Sequence, residues 1–199
     1  VHPRPAAQPG PADRPTPGVV LSWIPLGAGG SPVVRASGRA YEALAARRDR
    51  RAPCALVHAA LQVCVDGPEV AVEVTPVWGQ PAGDRGVVAE GPVGARWLGR
   101  SRYFRYEIRC WAGGAVPDLA WAASSRRVTD DPVAARAVLD AAVHVPTHTW
   151  GRDVTRTGDM WTSNSVVAWL LGTAGLPVDG PPPGLRAPGW TAGAVAARR

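Results

Sequence analysis

Apolar residues recur along this chain with two different periods, and the change from one to the other divides it. Residues 19–26 (VVLSWIPL) are a short apolar run that reads as a strand or an anchoring segment. Residues 54–67 (CALVHAALQVCVDG) and 69–79 (EVAVEVTPVWG) alternate around Val and Leu and are joined at Gly67-Pro68, the pattern of a β-hairpin. Residues 86–93 predict a third strand of this group and 102–114 a fourth. In the fourth, Tyr103, Arg105, Glu107 and Arg109 fall on one side and Phe104, Tyr106, Ile108 and Cys110 on the other, which predicts a sheet with one wet face.

Three segments follow the helical period instead. Residues 35–51 place Tyr41, Leu44 and Ala45 on one face, with Ser37 as a cap. Residues 130–145 offer Asp130 or Asp131 as cap, Pro132 in the first turn, and a Val133, Ala137, Val138, Ala141 stripe. Residues 158–175 carry Val166, Val167, Leu170 and Leu171 behind Thr162 and Ser163, and stop at Gly172 or Gly175. Helix, antiparallel strands and then helices in this order predict an α+β fold, an antiparallel sheet with segregated helices. The ends differ in character. Residues 1–18 read as a flexible Pro-rich leader rather than a secretory signal, residues 19–176 as a single α+β domain, and residues 177–199 as a Pro/Gly-rich tail.

The 199 residues suffice for one core, and no run is long and apolar enough to suggest a membrane span. All 22 basic residues are Arg, and there is a single Asn, Asn164, which points to a GC-rich coding bias. The net charge of +6 therefore says little by itself about partners. Six Arg against two acids concentrate charge in residues 35–51, but no aromatic ladder accompanies them there, which argues against nucleic acid as the partner. The three Cys lack CxxC spacing, so neither a disulfide framework nor a zinc site is expected and a cytoplasmic location fits. His144 and His148 are separated by Pro146, which breaks the helical spacing a metal pair would need. No cofactor motif is present, and nothing in the chain fixes an oligomeric state.

The candidate chemistry lies in Thr162-Ser163-Asn164-Ser165, four small polar residues opening an apolar helix. Plain capping accounts for one of them. Ser163 shares a helix face with Val166, Val167 and Leu170, at the positive end of the macrodipole, where a nucleophile and its developing oxyanion are favoured. Ser165 is the second choice. A histidine, His58, sits in the first strand of the hairpin, where a satisfied structural residue is the plainer reading.

A strand histidine followed much later by a helix opening with a nucleophile resembles the circularly permuted papain-like hydrolases, the lecithin:retinol acyltransferase-like and NlpC-like families among them. The resemblance covers roughly residues 52–176, and the whole chain also resembles proteins of GC-rich actinobacteria. Those families open the helix with N-C-x-x-F; here Thr162 stands at the Asn and Ser163 at the Cys. The resemblance implies Ser163 as nucleophile, His58 as general base and Glu73 as the residue orienting it, with Thr75 and Gln62 as weaker candidates. It also implies an oxyanion site at the helix start with Asn164. The neighbouring Trp161 and Arg152 are candidate substrate contacts; ordinary packing and surface pairing, for instance of Arg152 with Asp159, are their plainer readings.

The implied function is hydrolysis or acyl transfer on an amide, ester or thioester, with a small acyl, peptide or glycan substrate. A Ser in place of Cys makes the base essential, because a hydroxyl is not ionised on its own. Two alternatives remain: a non-catalytic binding module on the same scaffold, and a basic protein that binds nucleic acid or an anionic surface.

Overall fold

The computed structural model describes residues 16–28, 32–78, 86–113, 116 and 118–199. The expected leader up to residue 15, and residues 29–31 of the Gly-rich turn, lie outside the described residues. The chain folds as β1 (Gly18–Pro25), α1 (Pro32–Arg48), β2 (Ala55–Cys64), β3 (Val70–Pro76), β4 (Val87–Pro92), β5 (Arg105–Ala112), β6 (Ser124–Thr129), α2 (Pro132–Ala142), α3 (Ser163–Thr173), β7 (Leu185–Arg186) and α4 (Trp190–Ala196). Six strands pair antiparallel in the order β4-β5-β3-β2-β1-β6, and the two-residue β7 runs parallel to the start of β2. The α+β architecture expected from the two periodicities is the one observed. Among the described residues no helix is long and apolar enough to cross a membrane.

Strands β1 and β2 lie inside the sheet, paired on both sides, and their alternation is strongly apolar. Leu21 and Trp23 of β1 and Val57, Ala59, Leu61 and Val63 of β2 share one face and join the main core with Val138 of α2 and Val166 and Leu170 of α3. Helix α2 starts as its sequence predicts: Asp131 accepts the Val133 amide at 2.8 Å and Pro132 occupies the first turn. Its inward stripe is Ala135, Val138, Ala141 and Ala142, while Val133 is 74 % exposed.

The opposite face is not wet. Ile24, Ala60 and Ala71 pack there against Val116, and Leu119 and Ala122 flank them. Glu107 and Arg109, expected in solvent, are 0 % and 8 % exposed and pair with each other. Mutual neutralisation is what lets these two charges tolerate burial.

Two further expectations change. Helix α1 begins at Pro32, so Ser37 lies inside it rather than capping it, and Leu44 is 72 % exposed. The buried side of α1 carries Ala45, Ala46 and an acid, Glu42. The Glu42 carboxylate accepts from Arg51 at 2.5 Å, from the Cys54 amide at 2.8 Å and from Arg186 at 2.8 Å. One side chain thus ties α1 to the start of β2 and to β7. Residues 177–199, expected as a tail, pack on the domain: Trp190 sits edge-on to Trp23 at 4.6 Å and Ala192 is fully buried.

Candidate functional site

The site begins with an incomplete ladder. Strand β3 pairs β2 only at Leu61, Gln62 and Val63. The Leu56 carbonyl accepts from Leu26, beside β1, so backbone alternation turns Val57 and Ala59 toward the side that β3 has left open. An unpaired buried edge is costly, and the N-terminus of α3 fills it. Asn164 Oδ1 accepts the Ala59 amide at 2.7 Å, and Asn164 Nδ2 donates to the Val57 carbonyl at 3.2 Å. The side-chain amide stands where a peptide group of a neighbouring strand would stand. Its second N–H donates to the Pro188 carbonyl at 2.9 Å.

The rest of the polar run divides cleanly. Thr162 Oγ1 accepts the Asn164 amide at 3.2 Å and donates to the Pro188 carbonyl at 2.7 Å. Ser165 Oγ accepts the Thr162 amide at 2.9 Å and donates to the Gly189 carbonyl at 2.7 Å, completing a capping box. These bonds draw the C-terminal segment in close. Gly193 packs so near α3 that a Cβ there would lie 2.1 Å from the Ser165 carbonyl oxygen. Ser163 is the member left over. It is half-buried, and neither its hydroxyl nor its amide has a partner among the described residues.

Ser163 lines a cleft of about 280 Å³ with Tyr41, Leu56, His58, Trp150 and Met160, between α1, the start of β2 and the start of α3. His58 stands directly opposite Ile24, so the strand alternation puts it on the sheet face away from α2 and α3. Burial lowers its pKa below the ordinary imidazole value, and Asp118 offsets this in part, so the ring is mainly neutral near pH 7. His58 and Ser163 share the cleft without a hydrogen bond between them.

The other expected site residues are placed elsewhere or already engaged. Asn164 has both amide N–H groups on main-chain carbonyls, which leaves no donor for an oxyanion. Trp161 is 0 % exposed, edge-on against His148 at 4.7 Å, so it is core rather than groove wall. Arg152 donates from Nε to the Gly94 carbonyl at 2.6 Å. It does not pair with Asp159, whose carboxylate instead accepts the Gly189 and Thr191 amides at 2.8 and 3.2 Å and holds the start of α4. Glu73 stands opposite Arg109 in the β3–β5 ladder, outside the cleft, with its pKa raised by burial. The carboxylate that bears on His58 is Asp118, sixty residues away in sequence and outside any motif.

Among the described residues no three His, Cys, Asp or Glu side chains gather as metal ligands. None of the three cysteines is in a disulfide, and burial pushes Cys110 up to about 11, away from nucleophile chemistry at neutral pH. The chain matches no known family model, no curated protein and no solved structure.

Proposed function

We propose that the cleft is an acyl-transfer site in which Ser163 is the nucleophile and His58 the general base. One observation carries this reading. Ser163 and His58 line the same cleft, and Asn164, the residue after Ser163, is bonded to the main chain on either side of the histidine. Ser163, alone in the polar run, keeps its hydroxyl available at the mouth of α3. A helix opened by a nucleophile beside a strand histidine is also the relationship that the resemblance to permuted papain-like hydrolases implies.

The chemistry follows from these positions. With its ring turned from the far sheet face into the cleft past the open edge of β2, the neutral imidazole takes the Ser163 proton as Oγ bonds to the substrate carbonyl carbon. The free Ser163 amide and the positive end of α3 face the charge that develops on the carbonyl oxygen. Collapse of the tetrahedral intermediate breaks the bond to the leaving group, which departs with the proton from His58. Water, or an acceptor alcohol or amine, then attacks the acyl-enzyme with His58 again as base. A cleft of about 280 Å³ suits a short acyl group on an ester or thioester. Cysteines held outside any disulfide support a reducing compartment, the cytoplasm.

Hydrolysis of p-nitrophenyl esters of short acids tests the reading. Activity should fall to background in Ser163→Ala with the melting temperature unchanged. Full activity in that variant would overturn it. The missing hydrogen bond between His58 and Ser163 favours a second reading, a binding cleft without chemistry. Under it, short acyl compounds would raise the melting temperature without being turned over.

A further inference from the structure

Segment 147–150, which gives Trp150 to the cleft, lines a second concavity with its preceding residues. This concavity holds about 620 Å³ and is walled by Arg96 and Arg100 of a 3-10 turn (Arg96–Arg100), Arg105 at the start of β5, and Thr147 and Thr149. Glu90 is the one acid in its wall, and Arg105 neutralises it at 2.9 Å. Arg96 and Arg100 are exposed and have no acidic partner among the described residues. The Arg105 Nε, shut off from solvent, lacks a hydrogen-bond acceptor.

Arg105 also borders a neighbouring groove of about 250 Å³, whose walls include Trp78, Tyr103 and Trp150. Trp78 and Tyr103 are 55 % and 69 % exposed, so their ring faces are open to a ligand. Guanidinium groups match phosphate oxygens in pairs, and half-exposed rings present flat faces on which a base stacks. The two grooves meet at one residue, so a ligand joining an anion to a planar ring spans both. The Arg-rich helix α1 carries a single ring, Tyr41; here the fold brings several rings and guanidiniums together from three separate segments.

We infer that this double groove binds a nucleotide, free or as a unit of a single strand. The phosphate lies on Arg96, Arg100 and Arg105, and the base on Trp78 and Tyr103. The groove shares Trp150 with the Ser163 cleft, but none of the five residues assigned to phosphate or base lines that cleft, so the inference stands or falls apart from the acyl-transfer reading.

Fluorescence anisotropy of a labelled single-stranded 12-mer, at low salt, is the test. Binding is expected, with a log–log salt slope of about −2 for three phosphate contacts. Arg96→Ala with Arg100→Ala should weaken it roughly tenfold or more, and Tyr103→Ala or Trp78→Ala several-fold. Arg47→Ala with Arg48→Ala, at the far end of α1, should leave it unchanged. Competition by millimolar adenosine monophosphate identifies the free nucleotide as a sufficient ligand; competition only by a longer strand identifies the polymer. No binding at low salt, equal loss in the α1 variant, or undiminished binding in the Arg96/Arg100 variant would overturn the inference. So would binding of these residues to anionic phospholipid vesicles but not to the 12-mer or the mononucleotide.

Discussion

Asn164 lies against Ala59 with its Oδ1 2.7 Å from the Ala59 amide nitrogen, across 105 residues of sequence. With the Val57 bond it turns a side chain into the missing neighbour of a central strand. Asn164→Ala would leave two buried main-chain groups, the Ala59 amide and the Val57 carbonyl, unpaired and is expected to cost about 2–4 kcal/mol. Urea denaturation measures this as a shift in midpoint with little change in slope. A loss within about 0.5 kcal/mol would show that water or a local shift replaces the amide.

The close approach of α4 to α3 makes Gly193 intolerant of a side chain. Gly193→Ala favours the helix intrinsically but drives a methyl into the Ser165 carbonyl. The net effect is expected to be destabilising by about 1–3 kcal/mol, read from the thermal midpoint. A neutral or stabilised variant would mean that the two helices separate freely.

Glu42 sets an acid limb of stability. The Arg51 guanidinium, with the Cys54 amide and Arg186, holds its pKa at about 2, against an ordinary 4.5. Because the folded value is the lower one, its contribution is complete above the ordinary value and disappears as pH falls toward about 2. Melting temperatures of the native chain and Glu42→Gln should therefore differ most near neutrality and converge in acid. A constant gap at all pH values would refute the linkage.

His58 works in the other part of the pH range. Its folded pKa is depressed by burial, so the neutral base is available at pH 7. Ester hydrolysis, as kcat/KM, should rise with pH and level off with a midpoint below the ordinary imidazole value. Asp118→Asn removes a charge that raises that pKa, and should move the midpoint lower still. An upward shift in Asp118→Asn would show that Asp118 does not face the ring.

Much of this architecture is legible in particular residues. The β2–β3 hairpin is plain because Val and Leu alternate up to Gly67-Pro68, and α2 because Asp131-Pro132 is a start signal that the structure uses as written. Strand β6 (SSRRVT) is hidden by its polarity: it lies at the edge beside β1, where alternate side chains reach water. Glu42 is hidden by its surroundings, since an acid among arginines reads as a solvated face; only the fold brings Arg51, Arg186 and the Cys54 amide to it. In the candidate site, the lone Asn did mark a special place, but as a strut rather than an oxyanion donor. Local spacing cannot show that β3 leaves the edge of β2 open, and that gap decides what Asn164 does.

Covalent labelling with a fluorophosphonate, followed by peptide mass spectrometry, tests the acyl-transfer site most directly. The expected result is one adduct on the peptide containing Ser163, absent in Ser163→Ala. In His58→Ala its formation should slow by about 100-fold or more, the usual loss when a general base is removed. No adduct on the folded protein, an adduct on another residue, or an unchanged rate in His58→Ala would contradict it.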